Sequence, residues 1–261
     1  CVFDVMLAAY ILSPGEGSYE LRRLAISYLN AEISDTAARP DLVWRLYEML
    51  PDLVEQSGQS SLLFDIEQPL ASVLADMEEA GFKVDTDGLS KYSLELARHE
   101  EQLSERIFTL AGTDFNLNSP KQLGEVLFER LQLPVGRKTK SGYSTDAEVL
   151  SKLAPYHPII GDILDYRQVA KLRSTYTDGL LRVAGEDGRI HTILKQTGTA
   201  TGRISSLEPN LQNIPIRTDM GRELRRFFIA KNEDYILIDA DYSQIELRLL
   251  AHIAQDERML S

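Results

Sequence analysis

This 261-residue sequence predicts an α+β fold that is mostly helical, with long antiparallel helices leading into a partial antiparallel sheet. Three observations carry that expectation. Leu89, Leu96, Leu103 and Leu110 recur every seven residues, the spacing of a buried stripe along one helix. A second helical stretch from about Pro158 to Val183 supplies an antiparallel partner through Ile159, Ile163, Tyr166, Ala170 and Leu180. After Gly185 the pattern changes to strands and turns, beginning with Asp187-Gly188 and the strand-like Arg189 to Lys195.

In chain order, Cys1 to Met6 reads as a short apolar strand, and the lack of an initiator Met suggests an excised segment. Arg39-Pro40-Asp41 starts a helix that is expected to run to about Leu50, before Pro51. The polar stretch Gln56 to Ser61 is a candidate boundary. Ile66, Leu70, Val73, Leu74 and Met77 then follow helical spacing and stop at Gly81. Tyr92 and Ile107 fill the face of the Leu89–Leu110 stripe. Ser119-Pro120 is an N-cap and first-turn proline for a helix to about Leu131. Thr145-Asp146-Ala147-Glu148 reads as a capping box. Between these two lies a basic loop, Arg137 to Gly142, expected at the tip of a helical hairpin. A second strand, Tyr235 to Ile238, leads into Asp239-Ala240-Asp241, and a helix from Ser243 to about Ala254 is apolar on most sides and expected to be buried. His191 and His252 are lone histidines on apolar elements and are read as structural.

The apolar fraction of 43% and charged fraction of 26% are those of a globular protein, and no apolar run is long enough to cross a bilayer. A single cysteine excludes an internal disulfide framework and a cysteine-rich zinc site. The net charge of −12 is unevenly spread. Residues 1–136 hold 10 basic and 23 acidic side chains, residues 137–231 hold 16 and 10, and residues 232–261 hold 2 and 7. Screening limits the reach of the acidic blocks, so the basic middle can attract phosphates.

Asp241 ends a strand and is followed at once by a helix, which holds a carboxylate where a hard dication and substrate phosphates can share it. Asp239, two residues earlier, would point to the same face. The whole run Asp241-Tyr242-Ser243-Gln244-Ile245-Glu246-Leu247-Arg248 resembles the first polymerase motif of family A of the DNA polymerases, the DNA polymerase I family. Four further stretches are similar to family sequences, in the expected order: Phe115 to Leu123, Lys171 to Tyr176, Thr199 to Ser206 and Pro209 to Pro215. The five together cover residues 62 to the end, and ordered motifs of this kind are far more specific than any one alone.

The resemblance implies DNA-templated DNA synthesis in replication and repair, by nucleotidyl transfer from a dNTP to a primer 3′-hydroxyl with two Mg²⁺ ions. It makes Asp241 a metal ligand, with the Tyr242 carbonyl as a second, and puts Tyr242, Gln244, Ile245 and Glu246 around the incoming nucleotide. Glu246 would lie under its sugar and disfavour a 2′-hydroxyl. Arg203 would reach the minor groove at the primer end. Asn210, Gln212, Asn213 and Arg217 would contact template or primer. Lys138, Lys140, Lys171, Arg173 and Ser174 would serve a thumb's grip on the DNA backbone. Asp239 departs from the family, which has an uncharged residue there, and is expected in an outer-sphere or surface role.

The family resemblance divides the chain into an α/β exonuclease-like remnant at 1–61, a thumb with its leading helix at 62–184 and a partial palm at 185–261. In the remnant, Phe3 to Leu7 resembles a strand with one metal-binding Asp, whereas Arg39 stands where a second ligand belongs, so proofreading is expected to be lost. The fingers and the second palm Asp of the family have no counterpart here, and this piece alone is expected to be inactive. Expected partners are primer–template DNA and dNTP, with no membrane, for a monomer in the bacterial cytoplasm. Two other readings are a non-catalytic DNA-binding module and a relative of the single-subunit RNA polymerases. Glu246 counts against the latter.

Overall fold

The computed structural model describes residues 3–32, 39–135, 138–139, 142–216 and 218–260, with the backbone alone described at 138–139. It divides into two compact units, Cys1–Phe228 and Ile229–Ser261. Among the described residues, helices dominate and the strands form three two-stranded antiparallel sheets.

The first unit opens with a helix, not a strand. Asp4 caps α1 (Val5–Leu12) by accepting from the backbone N–H groups of Met6 at 2.8 Å and Leu7 at 3.1 Å. A short apolar run carries no period that separates strand from helix. The cap decides, because it satisfies two of the N–H groups that a helix start leaves open. Leu7 to Ile11 are all buried, against α3 (Pro40–Gln56) and beside α2 (Leu21–Leu29). The helix α3 runs through Pro51 instead of stopping at Leu50. Leu46, Leu50 and Val54 are fully buried on one face, and burial on both sides of the proline offsets its lost hydrogen bond.

A π-helical turn (Leu62–Glu67) leads into α4 (Gln68–Ala80), which stops at Gly81 as the sequence suggests. Gly81 has φ of +56°, and a Cβ there would meet His191 Nδ1 and the Ile190 carbonyl at 2.8 Å. Only glycine fits. The apolar spacing along α4 does not mark a buried stripe: Leu74 is buried, while Ile66, Val73 and Met77 are exposed. β1 (Phe82–Lys83) follows.

The larger core is built on α5 (Thr86–Ala111), capped by Asp85, whose carboxylate accepts from Gly88 N–H at 2.9 Å. Leu89, Tyr92, Leu96, Leu103 and Ile107 are buried as the stripe requires. α6 (Pro120–Gly124), capped by Ser119, continues as a π-helical turn to Arg130. Of the basic segment, β2 (Lys138–Thr139) pairs antiparallel with β3 (Gly142–Tyr143), while Arg137, Lys140 and Ser141 lie outside the described residues. At α7 (Ala147–Leu153) the cap is Asp146, accepting from Val149 N–H at 2.8 Å, one residue later than the box predicted at Thr145. Thr145 instead accepts from Arg167, whose burial lowers its own pKa.

α8 (Ile159–Lys171), a π-helical turn (Leu172–Thr177) and α9 (Asp178–Val183) form the partner of α5. Arg106 pairs with Asp162 at 2.7 Å, Glu100 with Arg173 at 2.9 Å and Ser93 with Asp178. Numbers fall along α5 as they rise along its partner, so the two run antiparallel.

The predicted strand Arg189–Lys195 is two strands with different partners. β4 (Arg189–Ile190) pairs with β1, and β5 (Ile193–Lys195) pairs with β6 (Ser205–Leu207). The break falls at Thr192, whose hydroxyl turns inward to Ser206 Oγ at 2.6 Å and donates to the carbonyls of Leu207 and Pro209. His191, read as structural, has Nδ1 2.8 Å from the Glu78 carbonyl oxygen. α10 (Asp219–Arg225) closes this unit, with the Phe227 carbonyl accepting from Asp85 N–H.

In the second unit, Tyr235–Ile238 forms no ladder, since a strand needs an edge to pair with and none lies beside it within this unit. α11 (Ile245–Ala254) and α12 (Glu257–Leu260) follow. The expected burial of α11 is overturned: Leu247, Leu249 and Leu250 are about half exposed and Ile253 is 78% exposed. So short a unit cannot enclose an apolar helix by itself. No helix among the described residues is long and apolar enough to cross a membrane.

Candidate functional site

The residues singled out in the sequence fall into two groups, one in each unit. In the second unit, Asp239, Asp241 and Tyr242 lie on an exposed segment without regular secondary structure. A turn at Ser243-Gln244 then feeds α11, with Gln244 in the left-handed region at φ +54° as its N-cap. Arg248 holds this turn from within the motif. Its Nε donates to the Ser243 carbonyl at 2.9 Å and its N–H to the Gln244 carbonyl at 3.0 Å. Glu246 sits in the first turn of α11, where the helix dipole favours a carboxylate, and both it and Asp241 are exposed. Ile245 is partly exposed beside it.

Asp241 is an oxygen donor of the kind a hard dication takes, and the Tyr242 carbonyl is a second. Among the described residues, no three His, Cys, Asp or Glu side chains converge as a metal cluster.

In the first unit, the β5–β6 hairpin carries Thr199–Arg203 at its tip, with Arg203 exposed and Gly202 at φ +79°. The Thr199 hydroxyl donates to the Arg203 carbonyl at 2.8 Å and closes the turn on itself. The Pro209–Pro215 segment braces the hairpin. Gln212 Nε2 donates to the Ile204 carbonyl at 2.8 Å, and Gln212 Oε1 accepts from Ser206 N–H at 3.2 Å. Asn210 Oδ1 accepts from Gln212 N–H at 3.0 Å and caps a 3₁₀ turn (Leu211–Asn213). Asn210 and Gln212, read in the sequence as contacts to template or primer, thus also have bonds within the protein.

The Asn213 carbonyl accepts from the Tyr176 hydroxyl, and burial raises the pKa of that tyrosine. Tyr176 lies in the same π-helical turn as Arg173 and Ser174, so the hairpin segment and the helix bearing these thumb candidates are tied together. Lys171 and Ser174 are exposed, and Ser174 Oγ donates to the Ala170 carbonyl. Arg173 is engaged by Glu100 at 2.9 Å and Asp178 at 3.6 Å. The groove beside it adds Glu101. The side chain of Lys138 and the residues Lys140 and Arg217 lie outside the described residues, as does Asp35 to Ala38. Arg39 forks onto Asp41, whose pKa that hydrogen bond lowers.

Sequence reasoning missed Tyr10, Glu67 and Gln196. Tyr10 is buried on α1 and its hydroxyl donates to the Thr199 carbonyl at 2.8 Å. Gln196 Nε2 donates to the Glu67 carbonyl at 2.7 Å and to its carboxylate. Partners this far apart in the chain leave no local pattern to read.

The sequence pattern of DNA polymerase family A matches residues 86–261. The chain is 47% identical to DNA polymerase I of Geobacillus stearothermophilus over 282 residues, covering 99% of this chain and 32% of that protein. It is 49% identical to DNA polymerase I of Caldicellulosiruptor bescii, covering 99% and 31%. It thus spans about a third of the length of the curated relatives it matches. Among solved structures it resembles the POL domain of Pol1 from M. smegmatis in complex with DNA primer–template and dNTP. The TM-score is 0.86 at 40% identity, covering 98% of this chain and 46% of that one.

Proposed function

The chain belongs to DNA polymerase family A, and from that premise we propose that it serves DNA-templated DNA synthesis as one part of a larger active site. The observation that carries the reading is the segment Asp241–Arg248, folded as an irregular approach, a turn held by Arg248 and a helix, with Asp241 and Glu246 exposed. Such a segment can take a nucleotide from the open side. The substrates are a primer–template duplex and a dNTP, the molecules with which the M. smegmatis relative was solved.

Asp241 and the Tyr242 carbonyl would hold Mg²⁺, which when bound supplies the charge that activates a primer 3′-hydroxyl and steadies a triphosphate. The protein's own residues do the rest. Gln244 and Ile245 flank the nucleotide, and Glu246 excludes a 2′-hydroxyl by its bulk. Arg203, on the exposed hairpin tip, reads the minor groove at the primer end. Asn210, Gln212, Asn213 and Arg217 line the path of template and primer. Lys138, Lys140, Lys171 and Ser174 grip the backbone, while Arg173 meets two carboxylates and in this reading shapes the helix junction first. Asp239 stays at the surface.

Residues 1–61 are read as an inactive exonuclease-like remnant, 62–184 as the thumb and 185–261 as part of the palm. An apolar core runs over Leu7–Val54 and takes in Leu63 just past the first of these boundaries. The protein is read as a bacterial cytoplasmic monomer.

Primer extension tests the proposal. The full-length protein extends a primed template with Mg²⁺ and Asp241→Ala abolishes it, while the 261-residue chain alone gives no product. Extension by the D241A protein would overturn the role of Asp241. Product from the chain alone would overturn the reading of it as part of a site.

A further inference from the structure

The hairpin tip that carries Arg203 is held from behind by residues that precede it by well over a hundred positions. Tyr10 is 3% exposed, its ring edge-on to Tyr19 with centroids 5.6 Å apart. Its hydroxyl donates to the Thr199 carbonyl at 2.8 Å. Thr199 passes this on within the tip, through the bond from its hydroxyl to the Arg203 carbonyl at 2.8 Å. The turn after α1 lies against the next residue: Gly15 has φ of +94°, and a Cβ there would stand 3.3 Å from Ala200 Cβ. At the stem, Gln196 is buried and bonded to Glu67 through both the backbone carbonyl and the carboxylate. Three successive points of the hairpin, at Gln196, Thr199 and Ala200, therefore rest on residues before position 68.

We infer that Tyr10 is a positioning residue for Arg203, and that the N-terminal segment acts as a back-plate fixing the tip that reads the primer terminus. The inference rests on the reading of Arg203 given above. Gly202 sits in the left-handed region, residues 200–203 are exposed and Thr199 is half-buried, so Thr199 is where the tip meets the N-terminal segment. The aim of Arg203 depends on what holds the far side. A buried phenol with one acceptor is a directional tie, and losing it leaves the Thr199 carbonyl unmatched. A guanidinium that must meet a groove atom within a few tenths of an ångström is sensitive to such a loss. An exonuclease-like segment without a metal chemistry of its own would keep a use in this way.

The near-isosteric Tyr10→Phe removes one hydroxyl and tests this in two arms. In the 261-residue chain without DNA, amide exchange over residues 196–204 quickens by about three- to tenfold, while α5 and α8 exchange as before. Unchanged exchange at the tip overturns the back-plate. In the full-length polymerase, Y10F lowers the ratio of kcat/KM for matched over mismatched primer ends by about three- to tenfold, and adds nothing once Arg203→Ala is present. An effect of Y10F that persists in full beside R203A overturns positioning through Arg203. An R203A protein that discriminates like the wild type removes the reading of Arg203 itself, and the exchange arm then decides the back-plate alone. If Y10F loosens the whole chain, seen as faster exchange in α5, Thr199→Val cuts the next link and must give the same two results.

Discussion

Arg173, in the π-helical turn that continues α8, lies 2.9 Å from the carboxylate of Glu100 on the antiparallel α5, and 3.6 Å from Asp178. The Glu100 side chain is 17% exposed. Arg173→Ala leaves that carboxylate largely dry and without its cation, with Tyr166 still beside it, and is expected to cost about 1–3 kcal/mol of stability, discounted from a fully buried pair because Arg173 is one-third exposed. Glu100→Gln in the same background restores part of it, and urea unfolding of the four proteins of the cycle measures the coupling. Lys171, exposed two residues earlier at the end of α8, behaves differently. Lys171→Ala leaves stability within about 0.5 kcal/mol, and weakens duplex binding with a salt slope smaller by about 0.9. Anisotropy titrations at several salt concentrations separate the two residues.

Asp4 spends its carboxylate on the N–H groups of Met6 and Leu7. Asp4→Ala is expected to cost about 1 kcal/mol, and Asp4→Asn only a few tenths, because an amide oxygen caps as well. Thermal unfolding with and without Mg²⁺ checks this. A cap predicts the same Mg²⁺ response in the wild type and D4N. A Mg²⁺-dependent gain confined to the wild type would restore the metal-ligand reading.

What the sequence disclosed and what it hid differ in physical range. The α5 stripe was legible because a heptad of leucines wants a partner helix, and the stretch from Pro158 to Val183 supplied it. The motif from Asp241 to Arg248 was legible as a family signature, but not as an environment, since a unit this short cannot cover α11. Asp4 was misread because eight apolar residues fit either period, and one cap decided between them. Thr192 and Gln212 were opaque for another reason: each bonds a backbone group set by a turn that no spacing rule anticipates.

Glu246 faces solvent at the first turn of α11, next to the turn that follows Asp241. If its side chain fills the space a 2′-hydroxyl would need, shortening it opens that space. Glu246→Ala in the full-length polymerase is expected to raise ribonucleotide incorporation relative to deoxynucleotide on the order of tenfold or more. Single-nucleotide extension with each sugar gives the ratio. Unchanged selectivity would remove Glu246 from sugar choice and reopen the RNA polymerase reading.

Tyr92 supplies a pH dependence whose sign can be worked out. It is 9% exposed on α5, donates to the Met220 carbonyl at 3.0 Å, and has its pKa pushed up to about 12 by burial first and then by Glu223 and Glu95. The unfolded phenol ionises near 10, so between pH 10 and about 12 the unfolded chain has lost a proton that the folded one keeps. The stabilisation is whole below pH 10 and is lost as pH rises towards the folded value, on the order of 2–3 kcal/mol in all. Tyr166 and Tyr176 are shifted in the same direction by burial and add to the slope. Tyr92→Phe is expected to cost about 1 kcal/mol at neutral pH for the lost hydrogen bond, yet to flatten the alkaline decline. Urea midpoints for both proteins at steps from pH 8 to 11.5 test it. Parallel curves across that range would show that Tyr92 does not resist ionisation in the folded state.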